Sequence, residues 1–291
     1  MTTTVRTASD LSPRHVSRLL FTHSVAIIGT FVWGVSWTAL GVFAVSFYLR
    51  HFAVAAFYHR YFSHRSFKTS RAFQFLMAFW ASTSGHKGPL SWATSHRLHH
   101  RASDRQGDPH SPHVDGTWQA YLGWLLRRDA LPTDLRLCAD FAKYPEILWI
   151  DRYHIVGPLL WLAGVFALGT WIERVHPELG ASRGQIVIWG FFWATLAAAH
   201  AALVTNTVAH LFGKRTFETN DQSRDVWWLW PFTAGENWHN SHHAYPASAR
   251  SGFGWRQPDP IFWGLRVLAA FGLIWDLKVA APKEFSTGKS A

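Results

Sequence analysis

The chain has 291 residues, of which 48% are hydrophobic, 16% are charged and 18 are tryptophans, a composition typical of a membrane protein. Its single cysteine, Cys138, excludes an internal disulfide and an iron–sulfur cluster. The formal net charge of +10 comes without a recognisable nucleic-acid-binding module, so we expect no nucleic-acid partner.

The positive charges instead predict how the chain crosses the membrane. Three Lys or Arg residues lie within 1–18, thirteen within 59–154 and nine after His210, whereas 173–184 carries only Arg174 and Arg183. Cytoplasmic segments of membrane proteins are enriched in Lys and Arg. We therefore expect an integral membrane protein with both termini and all histidine-rich segments in the cytoplasm, and we favour a bacterial cytoplasmic membrane over the endoplasmic reticulum.

Residues 1–18 are polar and basic, and the apolar run that follows them predicts two spans. From Leu19 to Tyr58 the chain is apolar for about forty residues, which suffices for two crossings, assigned to 19–34 and 36–58. No small-residue cleavage site follows the first apolar run. We therefore expect this segment to be retained rather than removed as a signal peptide.

A polar, irregular region at 59–154 predicts a helical cytosolic cap. Its apolar stretch Arg71–Ser84 is too short to cross a bilayer. Two more spans are predicted at 155–172 and 185–209, after which 210–259 completes the cap. The pattern of 260–277 is that of an amphipathic helix on the membrane surface, and 278–291 are expected to be a disordered tail. The predicted fold class is an all-α membrane protein with four transmembrane helices, and 19–277 form its one domain.

Histidine spacing is the strongest chemical signal in the sequence. Two H-x-x-H-H boxes place three imidazoles each at i, i+3 and i+4, on one face of a helix. A looser pair precedes both boxes, and a single histidine ends the last predicted span, one turn after Asn206. The nine histidines are His59, His64, His96, His99, His100, His210, His239, His242 and His243.

These nine imidazoles predict a site for two metals, each with four or five ligands. Neutral imidazole suits Zn, Cu, Fe and Ni, so the ligand type leaves the metal open. The boxes contain no carboxylate, and the chain has no conventional nucleophile motif. Both facts favour redox chemistry on an apolar substrate over metal-assisted hydrolysis.

The order H-x4-H, H-x-x-H-H, N-x3-H, H-x-x-H-H, placed after or between spans, resembles the membrane-bound acyl-CoA desaturases of the stearoyl-CoA Δ9 type. The resemblance covers residues 35–279 and extends beyond the histidines. It includes four further motifs, Lys87-Gly88-Pro89-Leu90-Ser91-Trp92, Asp108-Pro109-His110-Ser111, Gly123-Trp124-Leu125-Leu126 and Gly235-Glu236-Asn237-Trp238.

The resemblance implies a fatty acid desaturase domain with two Fe ions, which uses O₂ as co-substrate to introduce a cis double bond, at carbon 9, into a saturated long-chain acyl thioester. It makes all nine histidines iron ligands and makes Asn206 the holder of a metal-bound water. Its substrate would lie in a narrow apolar tunnel in contact with membrane lipid, and the protein's part would be to bind, orient and exclude.

Head-group contacts are implied at Arg127 and Arg128, where the family has a basic pair, and at Trp92. A pair of surface arginines that only sets topology is the alternative reading. Animal enzymes carry Arg-Asp just before the second histidine segment, where this chain has Thr94-Ser95. The carrier could therefore be CoA, acyl carrier protein or a lipid.

Two further expectations concern the surroundings of the site. Asp104, Asp108 and Glu236 lie near the boxes and could accept hydrogen bonds from ligand imidazoles, or could serve as loop and capping residues. Electrons must come from a separate donor, ferredoxin or cytochrome b5 with its reductase, because His176-Pro177-Glu178-Leu179 is not the His-Pro-Gly-Gly of a fused cytochrome b5 domain.

Three alternatives remain open from the sequence. A membrane di-iron hydroxylase would use the same boxes, since both reactions begin with one hydrogen abstraction. An acyl-lipid desaturase would differ in the carrier alone. A non-catalytic zinc-binding membrane protein is the most distant alternative, because nine ligands from four segments are excessive for it.

Overall fold

The computed structural model describes residues 11–128 and 133–282, whose regular elements are mostly helices. The helices are α1 (Pro13–Trp33), α2 (Trp37–Ser63), α3 (Arg71–Ser82), α4 (Pro89–Ala102), α5 (Pro112–Asp115), α6 (119–126), α7 (Ala139–Ala142), α8 (Pro145–Arg152), α9 (Val156–Val175), α10 (Arg183–Val208), α11 (Trp230–Thr233), α12 (His239–Ala244) and α13 (Pro260–Ala270). Two short strands, β1 (Lys68–Thr69) and β2 (Ile274–Trp275), pair antiparallel.

Four of these helices, α1, α2, α9 and α10, are long and apolar enough to cross a membrane. The predicted fold class is thereby confirmed. Two of them, α2 with 27 residues and α10 with 26, exceed the roughly 20 residues that span a bilayer. Their ends therefore extend into the cap, the part of the structure formed by 64–155 and 209–282.

Local signals explain where the spans begin. Helix α1 starts at Pro13 rather than at residue 19, because the Ser12 hydroxyl accepts a hydrogen bond from the His15 amide and proline suits the first helical position. Helix α10 starts at Arg183, because Ser182 and Gln185 form a reciprocal capping box. Of the predicted basic segment 1–18, residues 1–10 lie outside the described residues.

The end of the chain differs from the prediction. The amphipathic helix expected over 260–277 ends at Ala270, because Gly272 adopts φ +69° and reverses the chain. The following strand β2 pairs with β1, with Thr69 opposite Ile274. Lys278, expected to begin a disordered tail, bonds through its backbone to Ser66 and Ala249, and only 283–291 lie outside the described residues.

The segment Val54–Ser63 at the end of α2 extends into the cap and is enclosed by it. It is wound as a π-helix, and each of its ten residues is buried. Its aromatic rings Phe57, Tyr58 and Phe62 pack against α3, α4 and α7, respectively. The predicted non-spanning segment at 71–84 is the twelve-residue α3, whose Met77 and Ala78 contribute to this core.

Close packing between α9 and α3 gives a test of this arrangement. A Cβ at Gly157 would meet the Ser82 hydroxyl and lie 2.9 Å from the Thr83 nitrogen, whereas a Cβ at Gly164 on the same helix would meet nothing within 4 Å. We expect Gly157→Ala to lower the thermal unfolding temperature, since the α3 backbone would have to shift.

Gly164→Ala is the matched control and should leave the unfolding temperature unchanged or raise it, because alanine favours a helix by about 1 kcal/mol over glycine. Unfolding followed by intrinsic tryptophan fluorescence in detergent would measure both. Equal effects of the two substitutions would contradict the described α3–α9 contact.

Candidate metal centre

Four segments bring the nine box histidines together beneath the spans. The end of α2 supplies His59 and His64, α4 supplies three histidines, the residue pair after α10 supplies His210, and α12 supplies three more. The π winding of the α2 segment matters here. Residues five apart in an α-helix point about 140° away from each other, but i to i+5 pairing places them on one face. The rings of His59 and His64 lie 5.0 Å apart.

Helix α4 is fixed at its first turn by a carboxylate from α8. Asp151 accepts hydrogen bonds from the Leu90 and Ser91 amides, both at 2.8 Å. This capping orients the helix and thereby the face that carries its three histidines. The predicted i, i+3, i+4 arrangement is present, and His96 and His99 are buried.

The short helix α12 depends on tertiary contacts, because six residues are too few for a helix that is stable by itself. The Asp225 carboxylate accepts hydrogen bonds from the Ser241 amide at 3.0 Å and the Ser241 hydroxyl at 2.9 Å. The Asn240 side-chain oxygen accepts from the Thr216 and Phe217 amides, both at 2.7 Å. The histidines of α12 are therefore held between two loop segments.

The nine imidazoles form two adjacent groups. Within each group, one nitrogen from every histidine lies within 4.8 Å of the others. The first group is His59, His64, His96, His100 and His242, and the second is His99, His210, His239 and His243. The groups touch, because the rings of His100 and His243 stack with centroids 4.4 Å apart.

Carboxylates fix the orientation of four of these rings. The Nδ1 of His210 lies 2.8 Å from Asp104, that of His99 lies 3.0 Å from Asp108, and that of His243 lies 2.7 Å from Asp221. The Nδ1 of His59 bonds in the same way to Glu236. A carboxylate can only accept, so each Nδ1 carries the proton and each Nε2 presents a lone pair.

The Nε2 atoms face one another at hydrogen-bond distance. Whether the available protons could satisfy them all decides whether the groups fit a metal. In the second group the Nε2 of His239 lies 3.0 Å from that of His210 and 3.1 Å from that of His243. Both of the latter present lone pairs, and His239 has at most one proton to donate. The buried Nε2 of His99 has no hydrogen-bond partner among the described residues. Each group therefore fits a cation that accepts several nitrogen lone pairs.

Burial keeps seven of the nine imidazoles neutral, as binding of a metal would require. Burial lowers the pKa of His100 to about 3. It also holds the pKa well below the ordinary value in six others, which are His64, His96, His99, His239, His242 and His243. Burial alone would raise the pKa of Asp104, but the hydrogen bond from His210 outweighs it and the pKa falls.

Two residues beside the centre were missed by the sequence analysis. Asp221 lies 22 residues before His243 and has no box spacing, so no local pattern indicated it. The ring of His110 lies against that of His99, with centroids 4.5 Å apart and the planes tilted by 31°, and it shares a third group with His99 and Asp108. The Asp108-Pro109-His110 motif is the available signal for His110, because it places that residue two positions after Asp108, an expected hydrogen-bond partner of the boxes.

A cavity of about 250 Å³ lies beside the first group, between α1, α4, α6 and α10. His96 and Asn206 line it, as does Trp92, whose ring stacks on His96 at 4.9 Å. The other walls are mostly apolar and include Leu122, Leu196 and Ala202. An extended apolar group in this cavity would therefore pass directly beside the histidines.

The two arginines suggested as head-group contacts lie toward the start of α1. The Arg127 carbonyl lies 3.1 Å from the Nδ1 of His15, and the Arg128 guanidinium donates to the Leu11 carbonyl at 2.9 Å. Among the described residues, those that line the cavity include neither arginine. Their contact with a substrate stays a prediction, as does the water held by Asn206.

Comparisons with known proteins agree with this geometry. The profile of the family described as fatty acid desaturase matches residues 31–275. Delta-9 acyl-lipid desaturase 2 of Arabidopsis thaliana is 34% identical over 266 residues, which are 88% of this chain and 80% of that protein. The sn-1 stearoyl-lipid 9-desaturase of Anabaena variabilis is 28% identical over 285 residues, which are 97% of this chain and 100% of that protein.

A third relative acts on a different carrier. The hex-5-enoyl-(acyl-carrier protein) acetylenase of Moorena producens is 34% identical over 253 residues, covering 80% of this chain and 74% of its own. The family match and the extent of these similarities carry one conclusion. This chain belongs to the fatty acid desaturase family, whose members are oxidoreductases acting on fatty acyl chains.

Proposed function

We propose that the protein is an O₂-dependent desaturase that introduces a cis double bond, at carbon 9, into a saturated long-chain acyl group. One observation carries the proposal: two touching groups of buried imidazoles lie beside a mostly apolar cavity. A site that only stored zinc would not need this cavity. The metals proposed are two irons, held by the five-histidine and the four-histidine group.

The irons would supply the activation of dioxygen that removal of two hydrogens from unactivated methylenes requires. The residues of the chain perform the other tasks. Asp104, Asp108, Asp221 and Glu236 hold four ligand rings in one orientation, which maintains a lone pair toward each metal position. The buried cap excludes water and chance reductants from the centre.

The cavity would decide which carbon reacts. A chain that lies along Leu196 and Ala202 on α10 has its position relative to His96 set by the cavity walls and by its head group. The C–C bond that is held beside the centre is the one that reacts, so the position of the chain determines the position of the double bond. We propose that Trp92, which lines the cavity and stacks on His96, limits how closely the acyl chain approaches the metals.

We propose a lipid-linked acyl chain as the leading substrate, with acyl-CoA, the carrier expected from the sequence, and acyl carrier protein as alternatives. Two relatives named above act on acyl lipids, and a third acts on an acyl-carrier protein substrate. The position where animal acyl-CoA enzymes have Arg is Thr94, which is 1% exposed and accepts a hydrogen bond from the Asp134 amide. Thr94 therefore offers no cation to the phosphates of CoA.

We also propose that the cap and both termini face the cytoplasm, most simply in a bacterial cytoplasmic membrane, where a separate ferredoxin or cytochrome b5 delivers two electrons. The described part of the chain supplies many exposed cations on the cap, such as Arg65 and Arg136. An acidic one-electron carrier would be attracted to this face.

Expression in a bacterial host that lacks unsaturated fatty acids, together with a ferredoxin, tests the activity. We expect a new cis double bond, located at carbon 9 by mass spectrometry of derivatised fatty acids. His99→Ala and His242→Ala should abolish the product, because each removes a ligand from one group. His176→Ala is the control, since His176 follows the last residue of α9, at the end of that helix away from the cap.

A hydroxylated fatty acid in place of the alkene would identify a hydroxylase. Full activity in both ligand variants would contradict the proposed site.

Metal content tests the two-iron centre separately. We expect two irons per chain by elemental analysis. Asp221→Asn should weaken metal binding by about 10- to 100-fold, because the His243 ring loses the carboxylate that orients it. Asp276→Asn, which alters an exposed pair with Lys68, should leave the iron content unchanged. Equal iron content in both variants at limiting iron would contradict the proposed role of Asp221.

Filling the cavity should stop turnover without removing metal. We expect Ala202→Phe to lower product formation at least tenfold, because its ring would occupy space beside Asn206 and Leu203 where we place the acyl chain. Iron content and the unfolding temperature should stay near the wild-type values. Unchanged activity with long-chain substrates would show that the acyl chain lies elsewhere.

A further inference from the structure

The mouth of the cavity carries two cations that no described carboxylate neutralises. Arg18, five residues into α1, and Lys87, in the loop between α3 and α4, both line it. Among the described residues, the Arg18 guanidinium bonds only to the Gly85 carbonyl, at 3.0 Å. Within the same ranges, no carboxylate lies within 4.0 Å of the Lys87 ammonium. Unpaired cations that share a cavity mouth form a site for an anion.

The acidic residue that acts on Lys87, Asp151, already accepts hydrogen bonds from other residues. Burial and the charge of Arg18 lower the pKa of Lys87, and among the described residues the Asp151 carboxylate opposes them. Both Asp151 oxygens are used at the start of α4, where they accept hydrogen bonds from Leu90 and Ser91. The mouth therefore retains a net positive charge that an incoming anion could neutralise.

The loop that presents Lys87 is held in a strained conformation. Lys87 has φ +64°, a region that costs energy for a residue with a side chain, and Gly85 has φ +79°. A side chain at Gly88 would collide with the backbone of Asp151. The Lys87 carbonyl is fixed by the Tyr58 hydroxyl at 3.1 Å. Several independent contacts thus fix the backbone from which the Lys87 side chain extends.

Exposed apolar side chains lie on α1 within one turn of Arg18. Leu20 and Phe21, which follow Arg18 on α1, are 59% and 63% exposed, as expected where a helix contacts lipid tails. Arg18 lies about 8 Å along the helix axis from its first residue, and a long cationic side chain at such a depth reaches the phosphate level of a bilayer. A ligand for this mouth therefore needs a phosphate next to acyl chains.

We propose that Arg18 and Lys87 form a phosphate clamp that admits acyl chains carried by glycerophospholipids. The inference rests on the proposed acyl-lipid desaturation and names its substrate class. The phosphate of the lipid would bind between the guanidinium and the ammonium, and its acyl chain would enter the cavity beside Trp92 and His96. The fixed distance from the clamp to the histidines would then help to set the position of the double bond.

Lipid binding tests the clamp without turnover. The full-length, iron-loaded protein in detergent, stripped of lipid, is titrated with dioleoylphosphatidylglycerol, dioleoylglycerol or oleoyl-CoA and followed by native mass spectrometry. We expect Arg18→Gln and Lys87→Gln each to weaken phosphatidylglycerol binding about tenfold, the size expected for loss of one charge-assisted hydrogen bond. Dioleoylglycerol, which has no phosphate, should bind all variants equally.

Two variants control for charge and for folding. Arg14→Gln removes an exposed arginine one turn earlier on α1 that does not line the cavity, and it should bind phosphatidylglycerol as the wild type does. Lys87→Arg keeps the charge and should restore at least half of the lost affinity. Iron content and the unfolding temperature are measured for every variant, and Lys87→Gln decides the question if Arg18→Gln does not fold.

Three results would overturn the clamp. Phosphatidylglycerol binding could be unchanged in Lys87→Gln, or dioleoylglycerol binding could fall equally, which would indicate a structural role. Oleoyl-CoA could instead lose more affinity than phosphatidylglycerol, which would assign the cations to a thioester carrier. Desaturation of stearoyl-phosphatidylglycerol vesicles is measured in parallel. Phosphate-dependent binding without desaturation would contradict the proposed function but not the clamp, whereas desaturation without phosphate-dependent binding would contradict the clamp alone.

Discussion

The hydrogen bond between a buried carboxylate and the Nδ1 of a histidine is the interaction on which the centre of this protein depends. It occurs at His59, His99, His210 and His243, and in each case it turns the Nε2 lone pair inward. The carboxylates come from irregular segments. Asp104 and Asp108 follow α4, and Asp221 and Glu236 lie between α10 and α12. The same hydrogen bonds therefore fix both the orientation of the imidazole rings and the conformation of these loops.

The buried charge of Arg60 is compensated by two carboxylates, one of which also orients a histidine. Arg60, 1% exposed, contacts Asp259 through two nitrogens at 3.0 Å and Glu236 at 2.8 Å. Glu236 thus connects a guanidinium on one side with the His59 ring on the other. Since an unpaired buried charge is strongly destabilising, this arrangement ties the end of α2 to the segment that leads into α13. His59, Glu236, Arg60 and Asp259 therefore form one network of hydrogen bonds and ion pairs.

The spans and the cap form a continuous structure because α2 and α10 continue beyond the membrane. Helix α2 carries His59 near its end, and α10 carries Asn206 one turn before His210. Residues of the histidine groups thereby lie on, or directly after, helices that are long and apolar enough to cross a membrane. The cavity runs between α1, α10 and the cap, so an acyl chain can meet the centre without leaving an apolar environment. Family membership and this geometry agree on an oxidoreductase that acts on fatty acyl chains.

The sequence by itself determined the four apolar helices and the two H-x-x-H-H faces, because the length of an apolar run and the spacing of histidines are properties of the local sequence. It placed the helix starts imperfectly, although the caps Ser12 and Ser182 were readable. Only the tertiary structure decided the rest. The π winding that brings His59 and His64 to one face, the role of Asp221 and the strand pairing that follows Ala270 all depend on contacts between segments distant in sequence. No local pattern encodes such contacts, since the partner of each residue is chosen by the packing of the whole cap.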